Sequence, residues 1–221
     1  MDIDVITTTL NLAIMTTVIL LVICIPLASW LDQSSNPLTI IVNALTSLPL
    51  VLPPSVLGFY FLVFLNPTSL VGKWLENYLH MNLLFTFNGM LIASIILGIP
   101  FMIHPIRSGL ANLPANLKEA SYSLGKSKTK TLIYVQLPNI KPSILAGMIL
   151  TFTHVLGEFG VILMIGGNIP GETKVISIAI YDEILAMNYP RANAYSLFLL
   201  LFSFLALIII YFSNRKSAVQ K

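Results

Sequence analysis

Five long apolar runs constrain this chain more than any other feature of its sequence. A helix needs about 20 mostly apolar residues to cross a hydrocarbon core about 30 Å thick. Only 10% of the 221 residues are charged, whereas soluble domains carry about 25%. We therefore predict an all-α, polytopic membrane protein with about five transmembrane helices, forming a single transmembrane domain over residues 1–221. The runs lie at about residues 8–30, 38–65, 82–103, 143–166 and 195–213.

The distribution of Lys and Arg predicts the orientation in the bilayer. Nine basic residues fall in the loop after the third run and in the C-terminal tail, against three on the other side. Because cytoplasmic loops are enriched in Lys and Arg, we expect this loop, at about residues 104–142, and the C-terminus in the cytoplasm. The N-terminus is expected outside. Since Met1-Asp2-Ile3-Asp4 lacks a basic n-region, the first run is expected to be a retained span and not a signal peptide. The nine are Arg107, Lys118, Lys126, Lys128, Lys130, Lys141, Arg215, Lys216 and Lys221.

The second run contains Pro49, Pro53 and Pro54. Each proline lacks the backbone N–H that a regular helix uses, so we expect this span to be kinked or broken. Freed carbonyls at membrane depth are tolerated only against protein or a water-filled cavity. The sequence leaves two interpretations open, a kinked structural helix and a break that lines a translocation path, with Pro53 and Pro54 as candidate lining residues.

The basic loop has the pattern of two short helices. Leu117, Ala120 and Leu124 give one apolar stripe on a helix that begins near Pro114 and ends at Gly125, a residue that readily adopts positive φ. Ser127 can cap a second helix, which we expect to stop before Leu137-Pro138. An amphipathic pair of this kind can dock in a groove of a partner, or it can lie on the membrane or on its own bundle.

This loop resembles the "EAA" motif of the permeases of bacterial ABC importers. That motif reads E-A-A, three residues, G, nine residues and I-x-L-P, and the spacing here is the same. In that family the motif forms coupling helices that insert into the ATPase subunit, so the resemblance implies the same role here. The matching residues are Glu119, Ala120, Ser121, Gly125, Val135, Leu137 and Pro138.

Gly125-Lys126-Ser127 imitates the end of a P-loop, but the first glycine of that motif would fall on Ala120, and no strand precedes it. We therefore expect this chain to bind no ATP and no other cofactor. ATP and Mg²⁺ would be used by a separate ATPase partner.

The fourth run carries His154 and Glu158 on one helical face. Ionisable residues at membrane depth are usually turned inward and paired, so the two form either a structural anchor between helices or a gate. A carboxylate repels an oxyanion, which makes Glu158 a poor direct ligand for one. Hydroxyls such as that of Thr151 can line a path, or simply bond the preceding helical turn.

The flanking sequence is similar to that of molybdate permeases. The resemblance rests on Leu156–Gly160 (L-G-E-F-G), on Gly167–Thr173 (G-N-I-P-G-E-T) and on Leu48–Pro54. It implies a type I ABC importer (MetI-like) permease fold in a bacterial or archaeal inner membrane. It also implies a homodimer on two ATPase copies and an extracytoplasmic molybdate-binding protein. Sulfate, thiosulfate or tungstate permeases of the same family remain alternatives.

Other classes of membrane protein fit less well. An intramembrane protease needs paired aspartates, a Ser/His dyad or a metal cluster on its spans, and here His80, His104 and His154 are isolated. A channel does not need the coupling motif. We predict no catalytic residues, no metal site and no nucleic-acid partner.

Overall fold

The computed structural model describes residues 1–34 and 36–218, with the side chains of 79, 210 and 213–218 excepted. Helices account for most of this part of the chain. They are α1 (Ile3–Gln33), α2 (Leu38–Val51), α3 (Pro54–Leu65), α4 (Leu70–Leu79), α5 (Phe87–Ala111), α6 (Ala115–Ser123), α7 (Lys128–Thr131), a π turn (Leu132–Gln136), α8 (Leu137–Asn139), α9 (Lys141–Gly157), α10 (Gly160–Gly166), α11 (Ile176–Leu185) and α12 (Tyr189–Ala218).

Three helices, α1, α5 and α12, are long and apolar enough to cross a membrane by themselves. Two bent pairs pass the same test when each is taken together. The pair of α2 and α3 is bent by 113°, and the segment 128–139 followed by α9 is bent by 79°. This gives up to five spans, as the sequence predicts.

The core of the molecule is the packing of α1, α5 and α9 against one another. Small residues make this possible: a Cβ on Gly98 of α5 would lie 2.6 Å from Leu20 of α1 and 3.3 Å from Thr151 of α9. Leu20, Met102 and Ile103 are fully buried between these helices. Helix α12 packs on α9 and α11 and leaves most of its apolar surface exposed.

The break that the prolines predict in the second run is confirmed. Helix α2 ends at Val51, Leu52 and Pro53 are extended, and α3 begins at Pro54. Proline fits the first turn of a helix, where its missing N–H has no intrahelical partner to lose. Two consecutive prolines therefore stop one helix and start the next.

The prediction of one continuous helix over 143–166 is wrong. Helix α9 ends at Gly157, Glu158 is extended, and α10 begins only at Gly160. Glycines 157 and 160 bracket the break, and both disfavour a helix interior because they lose more backbone entropy than other residues on ordering. Because the run is apolar on both sides of the break, its hydropathy does not indicate where the chain changes direction.

Other boundaries also differ from the sequence prediction. Arg107 lies on α5 and not in the loop, because the helix runs on past the end of the apolar run to Ala111. Helices α4 and α11 had no counterpart in the sequence prediction; both are amphipathic and too short to register as spans. Of the predicted basic tail, the side chains of Arg215 and Lys216 and the whole of Lys221 lie outside the described residues.

Candidate functional site

The basic loop folds as two short helices joined at Gly125. Helix α6 follows Pro114, and Gly125 ends it with φ +73°, donating its N–H to the carbonyl of Tyr122 at 2.9 Å. Lys126 donates to the carbonyl of Ser121 at 3.1 Å. The predicted end of the first helix is therefore confirmed. Its cause is the positive φ of Gly125, which costs glycine almost nothing.

The second half of the loop runs further than the sequence predicts. Ser127 accepts a hydrogen bond from the N–H of Lys130 at 3.3 Å, so the predicted cap is confirmed. The helix does not stop before Leu137 but continues through a π turn to Asn139. The N–H of Leu137 donates to the carbonyl of Leu132, five residues back, as in a π turn. The regular i to i−4 hydrogen bonds are therefore already interrupted just before Pro138, which has no N–H to donate.

A buried hydrogen bond joins the two halves of the loop. The hydroxyls of Ser121 and Thr131 lie 2.8 Å apart, and both residues are buried. Ser121 stands where the motif has alanine, so this departure supplies a cross-link that alanine could not make. The loop is thereby held as one unit.

An ion pair ties this loop to the end of the first span. The ammonium of Lys118 lies 2.6 Å from the carboxylate of Asp32 at the end of α1, and both side chains are largely buried. The pair spans 86 positions of sequence, so no local pattern in the sequence indicates it. It fixes where α6 lies relative to the bundle.

The outer surface of the loop is apolar among lysines. Leu124 is 80% exposed and Tyr134 is 73% exposed, and Tyr122 and Ile133 are also exposed. We call these four residues the docking face. Among the motif residues, Glu119, Ala120, Gly125 and Pro138 are exposed, whereas Val135 and Leu137 are partly buried.

His154 and Glu158 remain together although α9 ends at Gly157, between the two residues. The imidazole Nε2 lies 3.6 Å from the carboxylate of Glu158, whose residue is only 9% exposed. His154 also stacks on Phe101 of α5, with ring centroids 4.0 Å apart. The backbone carbonyl of Glu158 accepts a hydrogen bond from Ser177 of α11 at 2.6 Å. The pair therefore links α5, α9 and α11.

The breaks of the second and fourth spans meet. A Cβ on Gly160, at the start of α10, would lie 3.5 Å from the Cβ of Pro54, at the start of α3. Helices α3 and α10 then pack side by side, with Gly58 against Met164. Discontinuous helices whose breaks lie together are the usual construction of a binding or gating point in transporters.

Thr151 lies apart from these residues. It is fully buried beside Gly98 and Thr16, at the junction of α1, α5 and α9. Within the described residues its hydroxyl has no hydrogen-bond partner, and nor do those of Thr16 and Ser94. The candidate path residues thus divide in two: Pro53, Pro54, His154 and Glu158 lie near the breaks, and Thr151 lies in the core.

Comparison with known proteins adds a family match. Residues 21–219 match the model of the family described as "Binding-protein-dependent transport system inner membrane component". This match covers most of the chain and includes the loop, both breaks and α12.

Several curated relatives are similar over most of their length. The molybdenum transport system permease protein ModB of Azotobacter vinelandii is 39% identical over 98% of this chain and 96% of its own. ModB of Haemophilus influenzae is 32% identical over 76% of this chain and 74% of its own. The sulfate transport system permease protein CysT of Escherichia coli is 31% identical, over 82% of this chain and 65% of its own.

The fold also matches a solved structure. The chain superposes on a bacterial ABC transporter involved in the import of the acidic polysaccharide alginate, with a TM-score of 0.77 and 21% identity. The match covers 98% of this chain and 78% of that one.

Proposed function

This chain belongs to the family of inner membrane components of binding-protein-dependent transport systems, and on that premise we propose that it imports molybdate. It is a permease of the ABC importer class with the MetI-like fold, and a multi-pass inner membrane protein. The observation that carries the choice of molybdate is the similarity to a molybdenum permease over nearly the whole of both chains.

The energy for transport would come from a separate ATPase that docks on the loop. The docking face presents Leu124 and two tyrosines to solvent, while the buried bond between Ser121 and Thr131 keeps the loop rigid. A rigid apolar surface would transmit a movement of the ATPase to the membrane helices better than a flexible loop would. ATP and Mg²⁺ would bind that partner in two copies, and no cofactor would bind this chain.

Two copies of the chain would enclose the path. Helices α2 and α3 leave many of their apolar side chains exposed in the single chain, and the polar groups among them cannot face lipid without cost. A homodimer would cover this side. Closure of the ATPase pair would then move the two loops and switch the path between its two openings.

The loop end of the bundle would face the cytoplasm, since it carries the excess of Lys and Arg. The N-terminus and the segment Gly167–Lys174 would then face outward, where a molybdate-binding protein would deliver cargo. That segment is held by the ion pair of Lys174 and Asp182 at 2.6 Å.

Uptake measurements test the choice of cargo. Proteoliposomes with the complete transporter should take up labelled molybdate only with ATP and the binding protein. Unlabelled tungstate should compete well, because it has nearly the same size and charge, and sulfate poorly. Uptake of sulfate with no competition from molybdate would contradict the proposal.

Sulfate is the second candidate, because the similarity to a sulfate permease is also extensive. The same competition experiment separates the two cargoes. A preference for sulfate would leave the loop, the dimer and the ATPase partner as proposed, and would change only the cargo.

A further inference from the structure

Two polar contacts join α2 to α5 near the loop end of the bundle. The guanidinium of Arg107 donates to the side-chain carbonyl of Asn43 at 2.5 Å. One turn away, the hydroxyl of Ser47 lies 3.3 Å from the imidazole of His104. Asn43 and Ser47 are four residues apart and therefore share one face of α2.

These contacts lie at one end of a row of side chains that begins at the breaks, which we call the line. His104 lies one turn from Phe101, which stacks on His154, and His154 in turn contacts Glu158. An open groove of about 380 Å³, lined mostly by apolar side chains, follows part of this line and is bordered by Leu50, Phe101, His104, Ser108 and Leu150. The line thus runs from the breaks to the loop end, on one side of α5.

The exposure of His104 argues against a lipid-facing position for this side of α5. His104 and Ser108 are exposed in the single chain although they lie on a spanning helix. Ionisable residues on spans face other protein or a water-filled cavity, because hydrocarbon cannot hydrate them. This side of α5 therefore borders water or a partner.

The charge along the line is positive at the loop end. Neither α2 nor α5 contains an Asp or a Glu, and in the described part of the chain Arg107 makes no salt bridge with a carboxylate. Its one recorded side-chain partner is the neutral amide of Asn43. Most of the donors of the guanidinium are left for another acceptor, and a guanidinium binds tetrahedral anions through two parallel hydrogen bonds.

We propose that Arg107, oriented by Asn43, is an anion-binding residue at the inner mouth of the path, with His104, Ser47 and Ser108 as further donors. The ligand is the tetrahedral oxyanion that the chain transports, so the inference rests on the proposed function. The site is open and lies at the mouth, so it attracts the anion without retaining it. An arginine that merely reached lipid phosphates would be replaceable by lysine, which also carries a point charge to the interface.

Uptake by variants tests this residue. Arg107→Gln should lower the initial rate of oxyanion uptake about tenfold or more, and Arg107→Lys should recover only part of it, with ATP hydrolysis retained in both. Lys141→Gln, which removes an exposed cation at the same end of the bundle, is the matched control and should leave uptake unchanged. Full uptake by Arg107→Gln, or full rescue by Arg107→Lys, would overturn the anion site and leave the proposed function intact. A wild-type complex that imports no tetrahedral oxyanion would contradict both.

Thiol labelling gives a second test that does not depend on transport. Cys24 is buried and is the chain's single cysteine, so Ser108→Cys can be made in a Cys24→Ser background. An anionic methanethiosulfonate should modify it faster than a cationic one, and Arg107→Gln should remove that preference. Val22→Cys is the control, since Val22 is 68% exposed near the middle of the apolar helix α1. Lipid would shield it there from a charged reagent, so it should stay unmodified. An unreactive cysteine at 108, or an equal rate with both reagents, would overturn the inference.

Discussion

Gly125 is the residue on which the shape of the loop depends. Its φ is +73°, and a Cβ there would meet no atom within 4 Å, so the requirement is for backbone conformation and not for space. A β-branched residue in this region is strained by about 1–2 kcal/mol and would shift Leu124 and Lys126. We therefore expect Gly125→Val to insert normally but to lose most ATP-dependent uptake.

Asparagine provides the matched control at this position, because it tolerates the left-handed region better than other non-glycine residues. Gly125→Asn should retain most of the uptake measured in the same proteoliposomes. Equal activity of the valine and asparagine variants would contradict the conformational explanation.

Residues whose conformation has a local cause can be predicted from the sequence. Gly125 and Ser127 were predictable because a positive φ and a helix cap are properties of a few consecutive residues. Asp32, Asn43 and Thr131 were not predicted, since their roles depend on partners brought close only by the fold. No local pattern marks Asp32 as the counter-ion of Lys118.

Among the elements, the ion pair of Asp32 and Lys118 connects α6 to α1. An ion pair of this kind contributes on the order of 1 kcal/mol, but it also sets the position of the loop. Asp32→Lys or Lys118→Asp alone should uncouple ATP hydrolysis from uptake, because each places like charges in contact. The double exchange should restore coupling, measured as oxyanion imported per ATP hydrolysed. A double variant no better than the single ones would show that the contact does not position the loop.

The meeting of the two breaks can be tested by a disulfide. The Cβ positions of Pro54 and Gly160 lie 3.5 Å apart, which is at the short end of the range for a disulfide. Pro54→Cys with Gly160→Cys, in a Cys24→Ser background, should therefore cross-link on mild oxidation, as detected by mass spectrometry of the linked peptides. Ser55→Cys with Gly160→Cys serves as a control for non-specific oxidation. Two free thiols at 54 and 160 after oxidation would mean that the breaks do not meet.

The two breaks also differ in how well the sequence predicts them. Prolines 53 and 54 remove backbone donors, so the break in the second span follows from composition. The break at Glu158 lies between two glycines in an apolar run, and glycine permits a break without requiring one. The packing of α10 on α3, which hydropathy does not encode, decides that the chain turns there.

In the whole molecule, α9 joins the two regions to which we assign function. It begins at Lys141, directly after the loop, and ends at Gly157, directly before the break. Seventeen helical residues span about 25 Å, and packing against α1 and α5 keeps them rigid. A movement of the loop would therefore be delivered to the breaks along one short helix. This direct connection is the physical basis for the proposed coupling of ATP hydrolysis to the opening of the path.

Site-specific cross-linking from the docking face shows whether the loop contacts an ATPase subunit. In a Cys24→Ser background, Leu124→Cys should cross-link to the ATP-hydrolysing subunit in membranes, with a yield that changes when ATP is added. Glu172→Cys, at the opposite end of the bundle, should give no such product. Absence of this product from Leu124→Cys would show that the loop does not receive the nucleotide cycle of a partner. Modification of the cysteine at position 124 by a charged reagent added outside intact cells would lead to the same conclusion.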